Sequence, residues 1–183
     1  MTDLSLYILD ITMNSVRAGA KNISVTLEEE NGLLTFKVTD NGCGMTAEQV
    51  EKLSNPFFTT RTTRKVGLGI PFLRMLAEQT GGGVEIASKS EKEFDDHGTC
   101  VCATFHSDHI DFVPLGDLVE TMITLIQGSP DVDFYYRHVS DKGVCVEMDT
   151  SEMRAVLGDE VPLNSYEVLS FIRGFLGEQY AQK

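Results

Sequence analysis

Three short stretches decide the fold: DNGCGM at residues 40–45, NPFFTTR at residues 55–61 and VGLGIPFL at residues 66–73. The first places the acidic residue Asp40 directly before two glycines, and the last places Gly67 and Gly69 at the start of a predicted helix. Glycine permits positive φ and a close approach of the backbone to a ligand. The unpaired N–H groups and the dipole of a helix start favour a phosphate. The stretches therefore predict one wall of a nucleotide pocket.

Hydrophobic periodicity predicts the elements around these stretches. Helical spacing of apolar residues predicts a helix over residues 3–18, and alternation predicts two antiparallel strands joined by a tight turn at Asn31-Gly32. These strands cover residues 23–27 and 34–38. The remaining elements of the first half are a helix over 47–53 with Thr46 as its cap, a loop over 54–66, a helix over 67–79, and strands over 84–88 and 99–105.

The segment after His106 has a different character and no recognisable motif. It predicts a helix over 115–127, a hairpin of strands 132–139 and 144–148, a short helix near 151–157 and a final helix over 165–180. We therefore divide the chain into a domain over 1–106 and an acidic α/β extension over 107–183. The apolar side chains of the final helix either pack on the sheet or mediate a homodimer. The aromatic residues at 134–136 are expected in the core, and the alternative is that they form a partner-binding edge.

Charge and composition exclude several classes of protein. The net charge of −13 over 183 residues argues against nucleic acid as a partner. No apolar run is long enough to span a membrane and no basic leader is present, which favours a cytoplasmic protein. Against this acidic background, basic residues crowd beside the glycines and suggest a polyphosphate site. They are Arg61, Arg64, Lys65 and Arg74.

The four cysteines are Cys43, Cys100, Cys102 and Cys145. Cys100 and Cys102 share one face of a predicted strand, where we expect them to act as small buried apolar residues. A metal cluster would need all four to converge, and disulfides are not expected.

Asp10 and Asn14 lie one turn apart on the same face of the first predicted helix. An asparagine oxygen suits a Mg²⁺ ion that keeps waters and binds phosphate oxygens. A carboxylate one turn earlier could orient or deprotonate the attacking group. Asp40, at a strand end, could accept a hydrogen bond from the exocyclic amine of adenine. The glycines at 67–69 lack the lysine of a P-loop and do not follow a strand, which disfavours the P-loop and dinucleotide-binding folds.

In order and spacing, these motifs resemble those of the histidine-kinase-like ATPases, the GHKL superfamily, which includes gyrase, MutL, sensor histidine kinases and anti-sigma-factor kinases. ILDITMNSVRAGA at 8–20 resembles the N-box of that family, and residues 40–45 resemble its first glycine box. Residues 55–61 resemble the phenylalanine box and lid of histidine kinases, and residues 67–69 the second glycine box. Gly98-Thr99 resembles a further element, and the resemblance covers roughly residues 4–106.

The resemblance implies an α+β fold, a two-layer α/β sandwich of the Bergerat type with a mixed, mostly antiparallel sheet. It implies ATP and Mg²⁺ as ligands, with Asn14 on the metal, Asp10 as the catalytic group, Asp40 on adenine and Thr99 supporting Asp40. The implied nucleotide-binding residues are Asn14, Arg17, Asp40, Gly42, Gly44, Met45, Phe58, Thr59, Thr60, Arg61, Lys65, Val66, Gly67, Leu68, Gly69, Ile70 and Thr99.

The chain departs from the family pattern in three places. Asp10 stands where ATPase and anti-sigma members carry a glutamate, so its carboxylate is one methylene shorter. Lys65-Val66 replace further small residues. The strand and helix that usually precede the N-box are not found, and none of His97, His106, His109 and His138 lies on a helix suited to a phosphoacceptor. The final helix is a candidate to replace those N-terminal elements.

Three functions fit these features. The first is a stand-alone ATP-binding protein that hydrolyses ATP slowly or phosphorylates a protein partner, as anti-sigma-factor kinases do. The second is a non-catalytic ATP or ADP sensor whose lid orders around the nucleotide and presents a surface to a partner. The third is a split histidine kinase whose phosphoacceptor domain lies on another chain.

Overall fold

The computed structural model of the chain describes residues 3–54, 69–158 and 160–182. Its elements in chain order are α1 (Leu4–Arg17), β1 (Asn22–Glu30), β2 (Leu33–Asp40), α2 (Ala47–Ser54), α3 (Gly69–Gln79), β3 (Gly83–Lys89), β4 (Gly98–His106), α4 (Leu118–Gly128), β5 (Asp133–Ser140), β6 (Cys145–Asp149), α5 (Thr150–Leu157) and α6 (Tyr166–Ala181). Each predicted helix and strand is confirmed, with shifts of a few residues at the ends.

The six strands form one sheet in the order β3-β4-β2-β1-β5-β6. β1 and β5 are parallel, and the other neighbours are antiparallel. Val25, Phe36 and Val101 lie on the buried face, which the helices cover, whereas Thr26 and Lys37 lie on the opposite, open face. The predicted α+β sandwich with a mixed, mostly antiparallel sheet is therefore confirmed.

The turn between β1 and β2 has the predicted geometry. Asn31 and Gly32 both have positive φ, 52° and 77°, as a two-residue hairpin turn that matches strand twist requires. The turn brings Ile23 opposite Asp40. The register of this hairpin thus places Asp40 at the end of β2, beside the start of β1.

The C-terminal segment extends the same sheet. β5 lies beside β1, with Tyr136 opposite Val25. α4 packs on α1, and α6 packs on α4 and β6. The buried apolar side chains from both sides of residue 106 form one cluster. The division into 1–106 and 107–183 stays a prediction.

The aromatic strand residues and α6 behave in part as predicted. Phe134 and Tyr136 are buried, and so are four apolar residues of α6, which are Val168, Leu169, Ile172 and Leu176. Tyr135 lies on the open face, where its hydroxyl donates to Glu147 at 2.6 Å. On the outer face of α6, Phe171 and Phe175 stack with ring centroids 6.0 Å apart and are 62% and 37% exposed. The homodimer stays a prediction.

A buried hydrogen-bond network fixes α6 to the sheet. His138 of β5, only 2% exposed, contacts Tyr180 of α6 through Nδ1 at 2.8 Å and Glu29 of β1 through Nε2 at 2.8 Å. The hydroxyls of Tyr180 and Tyr136 are 2.6 Å apart. The network joins the last helix to the neighbouring strands β5 and β1 through polar groups that are largely buried.

Gln179 covers part of the edge strand β6. Its Oε1 accepts from the N–H of Glu147 at 2.8 Å, and its Nε2 donates to the carbonyl of Glu147 at 3.0 Å. The side-chain amide therefore pairs with this residue as the backbone of a neighbouring strand would.

The expectation for two cysteines needs a correction. Cys100 and Cys102 do share a face, but it is the open face of the sheet, and both are half-buried. Within the described ranges, no group of three or more His, Cys, Asp or Glu is arranged to hold a metal ion. No helix in the same residues is long and apolar enough to cross a membrane.

Candidate nucleotide-binding site

A pocket of about 360 Å³ opens between α1, the loop after β2, the start of α3 and the first residues of β4. This volume lies in the range of ligand-binding clefts. Its lining residues are Ile11, Asn14, Ser15, Arg17, Ala18, Asp40, Cys43, Gly44, Met45, Gln49, Leu53, Ile70, Thr99 and Val101. The wall is thus mostly apolar, with a few polar groups that converge from separate elements.

Asp40 is held by three hydrogen-bond donors. Its Oδ2 accepts from the hydroxyl of Ser15 at 2.5 Å, and its Oδ1 accepts from the N–H of Gly42 at 2.8 Å and of Thr99 at 3.2 Å. Each carboxylate oxygen carries two lone pairs, so Oδ2 keeps one for a further donor. The carboxylate is therefore fixed in orientation and can still accept from a ligand.

The loop after β2 is folded against two other loops. The carbonyl of Cys43 accepts from the N–H of Glu91, and the N–H of Cys43 donates to the carbonyl of Ala18, both at 2.9 Å. Gly44 has φ 63°, and a Cβ at this position would lie 1.8 Å from the carbonyl oxygen of Lys89. A glycine is therefore required where the loop crosses the end of β3.

Asn14 and Arg17 also line the pocket, one turn apart on α1. Nη1 of Arg17 donates to Oδ1 of Asn14 at 3.1 Å. An amide oxygen has two lone pairs, so Oδ1 of Asn14 can accept from Arg17 and still offer an oxygen ligand. A Mg²⁺ ion that is held mainly by phosphates and waters needs few protein ligands, and this single oxygen fits such a site.

Asp10 lies at the junction of α1 and α3. It is not among the described residues that line the pocket, but its Oδ2 lies close to Gly69, the first residue of α3, and Gly69 precedes the pocket residue Ile70. The carboxylate therefore lies next to the start of α3, beside the residue that precedes Ile70 of the pocket wall.

The structure brings most of the described predicted residues together. Asn14, Arg17, Asp40, Gly44, Met45, Ile70 and Thr99 line the pocket, and Gly42 bonds to Asp40 from just behind the wall. Arg74, by contrast, lines a separate groove with the edge of β3. Phe58, Thr59, Thr60, Arg61, Lys65, Val66, Gly67 and Leu68 lie outside the described residues, as do Arg64 and the rest of the predicted lid.

Sequence reasoning missed four polar residues around the pocket: Ser15, Cys43, Gln49 and Ser88. Ser15 follows Asn14 directly, and its position one turn after Ile11 on the buried face was a usable signal. Gln49 forms a capping box with Thr46, because its Oε1 accepts from the N–H of Thr46 at 2.8 Å. Ser88 accepts from the N–H of Met45 at 2.8 Å, and no local pattern indicates that contact.

Comparison with known proteins gives a family match. The sequence profile described as "Histidine kinase-, DNA gyrase B-, and HSP90-like ATPase" matches residues 2–109. This span contains every predicted nucleotide-binding residue. The remaining residues, from 110 onward, lie outside the match.

Curated relatives match about half of the chain. "Sensor histidine kinase ZraS" of Escherichia coli (strain K12) is 33% identical over 91 residues, which cover 49% of this chain and 19% of the relative. "Sporulation kinase B" of Bacillus subtilis (strain 168) is 28% identical over 94 residues, which cover 50% of this chain and 22% of the relative. The match thus spans about a fifth of the length of these kinases.

Solved structures match over more of the chain. The ADP complex of the Aquifex aeolicus MutL ATPase domain has a TM-score of 0.56 and 13% identity, covering 95% of this chain and 88% of that chain. The N-terminal domain of a DNA repair protein also has a TM-score of 0.56, with 16% identity over 87% of this chain and 58% of that chain. At these identities the likeness shows a shared fold, and it extends into the C-terminal segment.

Proposed function

The chain belongs to the histidine kinase-, DNA gyrase B- and HSP90-like ATPase family, and from that premise we propose that it binds Mg-ATP and acts slowly, as an ATPase or a protein kinase, on a protein partner in a regulatory role. The pocket in which the nucleotide binds is formed by the sheet, α1 and the loop after β2, which contains Gly42 and Gly44 and is called the glycine loop below. The partner is a protein that recognises the nucleotide-bound form.

The observation that carries the proposal is the hydrogen bonding of Asp40. Three donors from α1, the glycine loop and β4 hold its carboxylate at the pocket wall. A fixed acceptor of this kind suits an exocyclic amine, which has only N–H donors to offer. The mostly apolar wall around it, including Ile11, Ile70 and Val101, suits the faces of a purine ring.

Asn14 and Asp10 take the two roles on the phosphate side. Asn14 offers one oxygen to a Mg²⁺ ion, which when bound neutralises charge on the phosphates. Asp10, four residues earlier on α1, orients the attacking water or hydroxyl as a general base. The start of α3, beside Gly69, lies on the phosphate side, since the N–H groups and the dipole of a helix start favour an anion.

The binding step is tested by titration calorimetry of Mg-ATP into the wild type and Asp40→Asn. The amide keeps one acceptor for the surrounding N–H groups but can present N–H donors to the adenine amine, so we expect binding to be lost. Asp131→Asn removes the same charge from an exposed residue outside the pocket and should bind as the wild type does. Equal affinity in Asp40→Asn and the wild type would refute the adenine role of Asp40.

The chemical step separates the proposal from its rival. Since Asp10 lies against Gly69 and not in the pocket wall, a nucleotide sensor without turnover is the second candidate. Phosphate release and transfer of label from γ-labelled ATP to partner proteins should be lost in Asp10→Asn while ATP binding is retained. Absence of release and transfer in the wild type as well would favour the sensor. Transfer to a histidine on a separate domain would indicate a split histidine kinase.

A further inference from the structure

One row of side chains crosses three strands at the part of the pocket where the adenine base is proposed to bind. We call this part, lined by Asp40 and Thr99, the corner. In the strand register Asp40 of β2 lies opposite Thr99 of β4, and Thr99 lies opposite Ser88 of β3. The row lies on the face of the sheet that the helices cover. Asp40 and Thr99 line the pocket, and Ser88 stands behind Thr99 at the edge of the sheet.

Ser88 makes three polar contacts through its hydroxyl. Its Oγ lies 2.8 Å from the N–H nitrogen of Met45, 3.0 Å from the carbonyl oxygen of Gly98 and 2.8 Å from Oγ1 of Thr99. A serine hydroxyl has one proton and two acceptor lone pairs. The Met45 N–H must donate and the Gly98 carbonyl must accept, so all three contacts are hydrogen bonds only when Thr99 donates to Ser88.

This arrangement leaves Oγ1 of Thr99 with lone pairs alone. Its proton is used by Ser88, and the nearby carboxylate of Asp40, which accepts from the N–H of Thr99, also offers only lone pairs to the pocket. The corner therefore favours a donor such as an amine and disfavours a keto oxygen, which would face acceptors without a hydrogen bond.

We infer that Ser88 is a specificity-determining residue, which keeps the proton of the Thr99 hydroxyl turned away from the pocket so that the corner selects a purine with a 6-amino group over one with a 6-keto group. The inference rests on the proposed binding of ATP and refines it. Without Ser88, the Thr99 hydroxyl can rotate and donate to a keto oxygen. A site that relies on polar complementarity loses its discrimination when a group can turn in this way.

The test compares the dissociation constants of ATP, ITP and GTP in the wild type, Ser88→Ala and Ser90→Ala. ITP carries a keto oxygen where ATP carries an amine. We expect Ser88→Ala to lower the preference for ATP over ITP by about tenfold while the ATP affinity changes by less than about threefold. Ser90 is buried two residues away and accepts from the N–H of Lys92, so Ser90→Ala should keep the wild-type preference.

Two further variants keep the test decisive. Ser88→Thr retains the hydroxyl and should restore the preference. Thr99→Val removes the acceptor oxygen Oγ1 of Thr99 while keeping a β-branched shape, and should lower the preference for ATP over ITP. This variant provides the test if Ser88→Ala folds poorly. An unchanged ATP-to-ITP preference in Ser88→Ala or Thr99→Val, or an equal loss of both affinities, overturns the inference. Failure of the wild type to bind ATP at all would instead overturn the proposed function.

Discussion

The carboxylate of Asp10 lies so close to Gly69 that a Cβ at residue 69 would be 1.9 Å from its Oδ2. The Asp10 carboxylate can therefore occupy this position only because residue 69 has no side chain. Asp10 is the proposed general base and Gly69 begins the helix proposed to face the phosphates. The same contact thus determines where both groups lie.

Gly69→Ala should move the Asp10 carboxylate or the start of α3. We expect a loss of about 1–3 kcal/mol in the free energy of unfolding, as for other overpacked sites, and a larger fractional loss of phosphate release than of ATP binding. Gly174→Ala is the matched control, since a Cβ at this helical glycine meets no atom within 4 Å. It should stabilise the protein by about 0.5–1 kcal/mol. Denaturant unfolding and phosphate release check both, and wild-type values for Gly69→Ala would contradict the close contact.

Asn14→Ala should weaken magnesium-dependent nucleotide binding. The variant loses the one oxygen offered to the ion, and Arg17 loses its acceptor at 3.1 Å. Calorimetry should show that the variant binds the nucleotide at least about tenfold more weakly than the wild type with Mg²⁺ present. With EDTA the two affinities should differ by less than about twofold. Equal losses with and without Mg²⁺ would assign Asn14 to the nucleotide and not to the metal.

Cys43 provides a label inside the pocket, and Cys145 provides one outside. Both thiols are exposed, but only Cys43 lines the pocket, whereas Cys145 lies on the edge strand β6. A maleimide should react with Cys43 several times more slowly when Mg-ATP is bound, because the nucleotide covers it, and with Cys145 at an unchanged rate. Peptide mass spectrometry reads both residues in one sample. Equal reaction of Cys43 with and without nucleotide would place ATP elsewhere.

Tyr180→Phe should loosen the C-terminal helix. The hydroxyl of Tyr180 contacts both Nδ1 of His138 and the hydroxyl of Tyr136, and its removal leaves two buried polar groups without that partner. The expected cost is about 1–3 kcal/mol. Tyr166 lies on the same helix and is 80% exposed, so Tyr166→Phe should change stability little. Thermal unfolding of the two variants measures the difference, and equal melting temperatures would show that the network adds no stability.

The same tyrosine predicts a loss of stability in alkali. Burial, together with the Glu29 carboxylate, raises the pKa of Tyr180 from 10.0 to about 12. The folded state disfavours ionisation of this phenol. The contribution of neutral Tyr180 to the free energy of unfolding is therefore complete below about pH 10 and is lost as the pH rises through about 12. Unfolding measured between pH 9 and about 12 should show a smaller pH dependence in Tyr180→Phe than in Tyr166→Phe. The same slope in both variants would contradict the assignment.

Local sequence patterns predict the helices, the strands and the turn between β1 and β2. They do not predict contacts between residues that are far apart in the sequence. The alternation in β1 and β2 and the Asn31-Gly32 turn are local signals. The parallel pairing of β5 with β1 has no such signal, because the two strands are about a hundred residues apart and the connection between them includes α4, which packs on α1. In β4 the alternation puts Val101 and Phe105 on the buried face and the two cysteines on the other, so the expectation that Cys100 and Cys102 are buried is wrong.

In the candidate site, too, some residues could be predicted from local patterns and others could not. Asp40, the glycines and Asn14 are visible in the sequence because few residue types fit their roles. Ser88 is not visible, since a serine in a strand fits many environments and its partner Met45 is 43 residues away. The proposed base specificity depends on that distant contact.

Gln179 has a consequence for how copies of the protein meet. An edge strand with open backbone groups is a template on which another chain can add by β-pairing, and such addition leads towards fibrous aggregates. At Glu147 both backbone groups already have a partner in the Gln179 amide. At this residue the last helix therefore leaves no open backbone group on which a second copy could begin edge-to-edge polymerisation.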